Sequence, residues 1–402
     1  MTRAINPGAE AAREPASSPY ESGILSDLLD AGESAGGEAR TQFLTPRQLM
    51  VIRFRRNKMA VLALWFLSFL YVVVLFAPMI APYDKTHRFT KHLYLPPRDI
   101  HFRGEDGRWQ RPFVYAVKIE TNKETFTRDF VEDRTTQSPV RFFVKGDPYK
   151  LWGFFKMDWH LYGVENPEEV GPVFLLGGDK FGRDIFGRIL FGGRISLTIG
   201  LVGVTISLFI GLLLGGLSGL YGGIVDNLIQ RVIEFIRSIP SIPLWMGLAA
   251  ALPADWPQLR IYFGITIIYA LISWTTLARV VRGKFLSLRN EDFVLAAQSA
   301  GASQWYLIWQ HLVPSFMSYV LVDATLAIPG MIIFETALSF LGLGLVSPTV
   351  SWGVMLKDAQ QIVEIAIHPW ILWPAMFVVV TVLALNFIGD GLRDAADPYA
   401  DL

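Results

Sequence analysis

The chain has 402 residues, 52% of them apolar, and a positive mean hydropathy. Its 36 Lys and Arg are matched by 36 Asp and Glu, so no basic surplus points to a nucleic-acid partner. The absence of cysteine removes disulfides, thiolate metal sites and cysteine nucleophiles together.

Residues 1–45 are rich in Ala, Ser, Gly, Pro and Glu, with acidic side chains in excess, and are expected to form a disordered cytoplasmic tail. Ile24, Leu25, Leu28 and Leu29 share one side of a short helix, read as transient and without a role. Thr45 and Pro46 read as the N-cap and first position of the helix that feeds the first span, so residues 46–82 form one unit. The apolar run near 59–81 is long enough to cross about 30 Å of hydrocarbon. It lies too far from the N-terminus, and is too long, for a cleaved signal peptide. Arg47, Arg53, Arg55, Arg56 and Lys58 precede it and put the N-terminal side in the cytoplasm.

Residues 83–178 are a polar insertion, outside the cytoplasm by parity; long loops translocate largely regardless of their charge. Apolar stretches at 113–119 and 140–144, bounded by Pro and Gly, predict a small β-rich lobe. Trp152, Phe154, Phe155, Trp159 and Tyr162 follow and are expected to anchor at the membrane interface. Further spans are predicted near 195–220, 232–252, 261–281, 316–343 and 369–390. The third is the weakest, since Arg231, Glu234 and Arg237 crowd its start and Pro240 and Pro243 interrupt it. Six crossings return the C-terminus to the cytoplasm and place the 222–237 and 282–315 loops inside, in keeping with Arg279, Arg282, Lys284 and Arg289. The predicted fold is an all-α polytopic membrane protein of about six helices in contact with lipid. A small β-rich extracytoplasmic insertion separates helices 1 and 2.

Metal and nucleotide chemistry find no support. His87, His92, His101, His160, His311 and His368 include no pair at the spacing of a helical zinc site, so no metal is expected. The run Gly177-Gly178-Asp179-Lys180-Phe181-Gly182-Arg183-Asp184 lacks a Gly-Lys-Ser/Thr ending, and Gly283-Lys284 is followed by Phe285. With no P-loop and no catalytic residue, the chain is not expected to be an enzyme, and any ATP that drives it is hydrolysed by another polypeptide. Within the spans, Asp323, Glu335 and Asn386 are the polar groups that mark a candidate pathway, because a carboxylate in hydrocarbon is costly. For Glu335, hydrogen bonding at a subunit interface is favoured over contact with a solute.

Residues 292–314 form a polar, helix-compatible loop between two spans. Ala296, Ala297 and Ala300 keep one helix face thin, Gly301 can end that helix, and Phe293, Trp305, Tyr306 and Trp309 offer bulky anchors. The Ala-Ala pair, the Gly four residues on and Pro314 thirteen after that resemble the cytoplasmic EAA loop of ABC importer permeases. Four further stretches narrow the resemblance to the dipeptide/oligopeptide permease family. They are the GGDKFGRD element with its continuation to Leu197, Tyr221-Gly222-Gly223 with Asp226, the run from Leu338 to Gly344 with Ser347-Pro348 and Ser351-Trp352-Gly353, and Gly389 to Asp394 with Asp397-Pro398.

The resemblance covers 175–402 closely and 46–82 loosely. It implies a C-type permease subunit with type I importer architecture, a transmembrane domain over 179–402, and alternating access. Its implied partners are a second homologous permease, two ABC ATPases that use ATP and Mg, and an extracytoplasmic solute-binding protein at a bacterial inner membrane. Phe293, Ala296, Ala297, Gly301, Trp305, Leu312 and Pro314 would couple to the ATPase. Three positions depart from the family's pattern: Leu295 replaces a Glu, Gly178 a Thr and Val313 a Leu. The first leaves apolar packing and helix shape, in place of a salt bridge, to transmit force. Peptides are the expected cargo, with oligosaccharides or a nickel chelate as runners-up. A secondary transporter would require repeat-related broken helices, and no internal repeat is found. A membrane-anchored sensor or assembly factor would leave the Ala-Ala to Pro loop unexplained.

Overall fold

In the computed structural model, α1 (Pro46–Arg56) and α2 (Lys58–Leu75) meet at Asn57. The Asn57 side chain accepts the Ala60 N–H at 3.1 Å and so caps the first apolar helix. The structure describes residues 46–104, 107–121, 128–253 and 255–396. The tail 1–45, with Thr45 and the Ile24–Leu29 stripe, and Asp397-Pro398 lie outside the described residues.

After the short α3 (Ala77–Ile80), the chain builds the lobe from β1 (His101–Arg103), β2 (Trp109–Thr121), β3 (Arg128–Pro139), β4 (Arg141–Leu151) and β5 (Phe155–Gly163). The first three strands form an antiparallel sheet in the order β1-β2-β3, and β4 and β5 form a separate hairpin. The 113–119 run falls within β2, and the 140–144 run opens β4, with Val140 immediately before the strand. Trp152, at the hairpin turn, donates its indole N–H to the Leu75 carbonyl at 3.3 Å, and its ring lies 5.5 Å from Phe76. That contact ties the hairpin to the end of α2. Tyr162 differs from the expected interfacial anchor: it is buried with Val114, Val140, Val164 and Val173, because it faces the lobe's core.

Beyond α4 (Pro167–Val170), α5 (Ile185–Tyr221) starts ten residues before the predicted span. Asp184 caps it, accepting the N–H groups of Phe186 and Gly187 at 3.2 and 2.9 Å. Arg188 and Arg194 hid this start from a hydropathy reading; the first sits between carboxylates and the second is hydrogen-bonded to backbone carbonyls. Arg188 lies near Asp179 and Asp358 at 3.7 and 3.6 Å, and Arg194 donates to the carbonyls of Val74 and Leu75 at 3.0 and 2.6 Å.

The predicted third span is not one rod. It consists of α6 (Gly223–Ser238) and α7 (Ser241–Ala250), which meet at 89°. Pro240 has no backbone N–H to continue the ladder, and the break follows. α8 (Gln258–Leu288) then packs along α5, with Gly211, Gly215 and Gly219 facing it at every fourth residue. A Cβ on Gly215 would lie 2.5 Å from the Ala278 carbonyl oxygen, and one on Gly219 would lie 2.6 Å from the Phe285 Cβ. The two backbones touch only because side chains are missing there.

A short helical pair, α9 (Asp292–Ser299) and α10 (Gln304–Tyr306), leads through a π-helical turn (Leu307–Leu312) and α11 (Val313–Ser315) to α12 (Met317–Leu341). The chain ends with α13 (Trp352–Asp358), α14 (Ile362–Ile367), a 3-10 turn (Pro369–Leu372) and α15 (Trp373–Ala396). Among the described residues five helices are long and apolar enough to cross a membrane, or six when the bent pair counts as one span. This is the expected all-α polytopic fold with a small β insertion. Its central core joins Ile199, Ile265, Met331 and Phe334 from α5, α8 and α12.

Candidate functional site

The 292–315 segment folds as a helix, a sharp turn and a second helix. Gly301 has φ +83, its N–H donates to the Gln298 carbonyl at 2.9 Å, and the Ala302 N–H donates to the Ala297 carbonyl at 3.0 Å. This pair of bonds is the glycine-ended cap that satisfies the last carbonyls of α9. Ser303 then caps α10, accepting the Tyr306 N–H at 3.2 Å.

Val294, Leu307, Ile308, Leu312 and Val313 are buried against Leu212 of α5, Val281 and Phe285 of α8, and Phe316. Phe293, Ala296, Gly301, Trp305 and Pro314 are exposed. Leu312 and Ala297 depart from the expectation of contact with another protein. Leu312 is fully buried and Ala297 half-buried, because both lie on the inward side of their helices and fasten the loop to its own bundle.

The same core is bolted to the α5–α6 turn. Arg282 of α8 donates from Nε and Nη2 to the two carboxylate oxygens of Asp226, each at 2.6 Å, and Ser218 and Gln230 extend the cluster. Sequence reasoning missed this bidentate pair. Its members are 56 residues apart, and no spacing rule connects them.

Glu335 neither faces a subunit interface nor lines a cavity. It is fully buried, accepting hydroxyls from Ser196 at 3.2 Å and Ser339 at 2.8 Å. Ser196 in turn accepts the Trp352 N–H, and Ser339 accepts the Leu345 N–H. The carboxyl therefore fastens α5, α12 and the 345–352 turn inside one subunit, because this chain alone already covers it completely. Asn386, half-buried on α15, borders none of the five principal cavities among the described residues.

Asp323 does line one. A cavity of about 570 Å³ opens where α6 bends into α7, walled by α5, α8 and α12. Arg237, Trp245, Tyr269 and Asp323 border it, as do Ser207 and Ser273, whose hydroxyls are 2.8 Å apart. Arg237, Trp245 and Tyr269 were not foreseen. The signal available was a lone arginine three residues before the helix-breaking Pro240.

On the lobe side of the bundle, Arg183 donates to Asp179 at 2.6 Å and to Asp358 at 3.0 Å, and Lys180 lies 3.1 Å from Asp358. The glycine-rich element read in the sequence thus serves as a clamp between the start of α5 and α13. Beside it, burial pushes the Asp184 carboxyl above the usual carboxylate range, and the Gly187 and Phe186 N–H groups pull it back. Among the described residues no three His, Asp or Glu side chains gather as a metal would require.

Five long apolar helices, a bent span and a capped two-helix loop anchored in the bundle define the membrane-spanning subunit of an importer. Residues 208–400 match the model for binding-protein-dependent transport system inner membrane components, and residues 45–97 match the N-terminal TM domain of oligopeptide transport permease C. The oligopeptide transport system permease protein OppC of Haemophilus influenzae is 41% identical over 242 residues, covering 60% of this chain and 75% of that protein. OppC of Bacillus subtilis is 39% identical over 223 residues, 55% and 70% of the two chains. The dipeptide transport system permease protein DppC of Alkalihalophilus pseudofirmus is 40% identical over 223 residues, 55% and 71%. Among solved structures, a chain of the MetNI methionine ABC transporter in inward-facing conformations aligns with 52% of this chain and 97% of its own, at 19% identity and a TM-score of 0.40. The chain belongs to the oligopeptide/dipeptide permease family of ABC importers, as a subunit of the OppC type.

Proposed function

We propose that this chain is one of two permease subunits that form the pathway of an ATP-driven peptide importer in a bacterial inner membrane. It does not hydrolyse ATP itself: two separate ATPases do so with Mg, and a soluble binding protein delivers the peptide. In this proposal residues 46–82 carry the first span, 83–178 lie outside, 179–402 form the permease domain, and both termini are cytoplasmic. Residues 292–314 receive the ATPase stroke. Phe293, Ala296 and Trp305 offer an exposed surface, and Gly301 sets the turn. Leu312 and Ala297 carry the displacement inward.

The observation that carries this assignment is the loop core. One apolar cluster joins the two short helices to α5 and α8, so a push on the exposed face moves the helices that wall the cavity. The relatives' names, oligopeptide and dipeptide permease, favour peptides as cargo.

The test is reconstitution in proteoliposomes with and without the ATPases, second permease and binding protein. ATP turnover and uptake of a radiolabelled tripeptide are expected only in the full assembly. Appreciable turnover by the isolated chain, or uptake without ATPases, refutes the assignment.

A further inference from the structure

The cavity at the α6–α7 bend holds one cationic and one anionic side chain that do not neutralise each other. Asp323 has neither a hydrogen-bond nor an ion-pair partner among the described residues, although it sits on a helix that spans the membrane. Arg237, exposed on α6, borders the same space, and its guanidinium donates to the Thr276 hydroxyl at 3.0 Å, with no carboxylate within ion-pair range among the described residues. Trp245 adds an indole N–H that is buried and unpartnered. An unpaired carboxylate in a bundle of apolar helices is costly and marks a site where something charged passes or binds. Asp323 and Arg237 carry opposite charges and border one space. Here they stay apart, on different helices of a cavity about 570 Å³ in volume, within the range that takes a small ligand.

We propose that this cavity is a peptide subsite that reads both chain ends. The Asp323 carboxylate faces the α-ammonium group, and the Arg237 guanidinium faces the α-carboxylate. Trp245 and Tyr269 lie between them as apolar faces for the side chains. A zwitterion suits such a site better than a neutral sugar, because the half-buried Asp323 carboxylate meets a cation and the exposed Arg237 guanidinium at the cavity's border meets an anion. The subsite is weak by design, since a pathway must release what it binds.

This inference rests on the peptide-importer assignment above and adds where the solute is held. The test uses the complete complex in proteoliposomes and three probes: trialanine, N-acetyl-trialanine and trialanine amide. Uptake by each variant is divided by uptake in the wild type, so the preferences of the shared binding protein cancel. Asp323→Asn is expected to lower uptake of trialanine and its amide about ten-fold or more, and to leave N-acetyl-trialanine at the wild-type rate. Arg237→Gln is expected to lower trialanine and N-acetyl-trialanine alike and to spare the amide. Asp323→Glu retains the charge and should keep most of the uptake, which separates loss of charge from misfolding.

Equal loss on all three probes would assign these residues to packing or to the second permease and overturn the subsite, as would no loss on any. A wild-type complex that imports no peptide would overturn the assigned function itself, whereas peptide import with unchanged ratios overturns only the subsite.

Discussion

Gly301 offers a test of whether the shape of the proposed coupling loop matters or only its surface. Its φ of +83 is a conformation that L side chains rarely adopt, yet a Cβ built there meets nothing within 4 Å. Substitution therefore costs only backbone strain within this subunit, about 1–2 kcal/mol for Ala, less for Asn and more for the β-branched Val. One to two kcal/mol changes the population of the intact turn by roughly 5- to 30-fold. Peptide-stimulated ATP turnover in the assembled complex should fall in the order Gly, Asn, Ala, Val, with ATPase co-purification measured on the same samples. A partner packed directly on Gly301 would give a different order, because Ala is smaller than Asn. If Gly301→Ala retains more activity than Gly301→Asn, the strain reasoning is refuted and the glycine is a contact site.

Neighbouring positions separate inside from outside. Ala296→Trp should leave the melting temperature of the subunit unchanged and abolish ATPase co-purification, because Ala296 is exposed. Ala297→Trp should destabilise the subunit itself by about 1–3 kcal/mol through overpacking, and equal melting curves for the two would contradict the loop geometry. Gly219→Ala puts a methyl against Phe285 and Arg282 and should cost about 1–3 kcal/mol in a detergent thermal melt. Gly283→Ala, on the open side of α8, should be neutral or slightly stabilising; indistinguishable melts would mean the α5–α8 backbones are not in contact. For orientation, single cysteines in this cysteine-free chain should react with an impermeant thiol reagent at Thr136 but not at Ser303, both exposed; Ser138 is buried in the lobe and unsuitable. Labelling at Ser303 alone would invert the topology.

Much of the architecture was legible because a bilayer demands long apolar runs, and hydropathy reads those directly. Four of the six spans lie close to their predicted positions, and Pro240 marked the place where the third breaks. Hydropathy misplaced the start of α5 for a reason visible only in three dimensions: Arg188 and Arg194 look like a boundary, but Arg188 sits by Asp179 and Asp358, and Arg194 is hydrogen-bonded to two carbonyls of α2. The loop's position and its Gly301 turn were readable. Which of its residues face inward was not, since Leu312 and Ala297 owe their burial to α5 and α8. Glu335 shows the same limit more sharply. An intramembrane carboxylate was identified, and Ser339 lies one helical turn away from it, but Ser196 and Ser351 come from separate parts of the chain and only folding brings them to it. The repeat of Gly211, Gly215 and Gly219 was present in the sequence and passed unread, although its spacing of four is a known signature of close helix approach.

The 37 residues of α5 make a rod about 55 Å long, well beyond the thickness of the hydrocarbon layer. Its far end is gripped by the Asp179–Arg183–Asp358 clamp and by Ile185 and Ile189, its near end by Leu212 and the cluster beneath the loop. A tilt of one degree at one end displaces the other by about 1 Å. In the coupling proposed above, movement at the loop end of α5 would reach the lobe end as a lever stroke, and a binding protein docked there would sense the power cycle through the angle of a single helix.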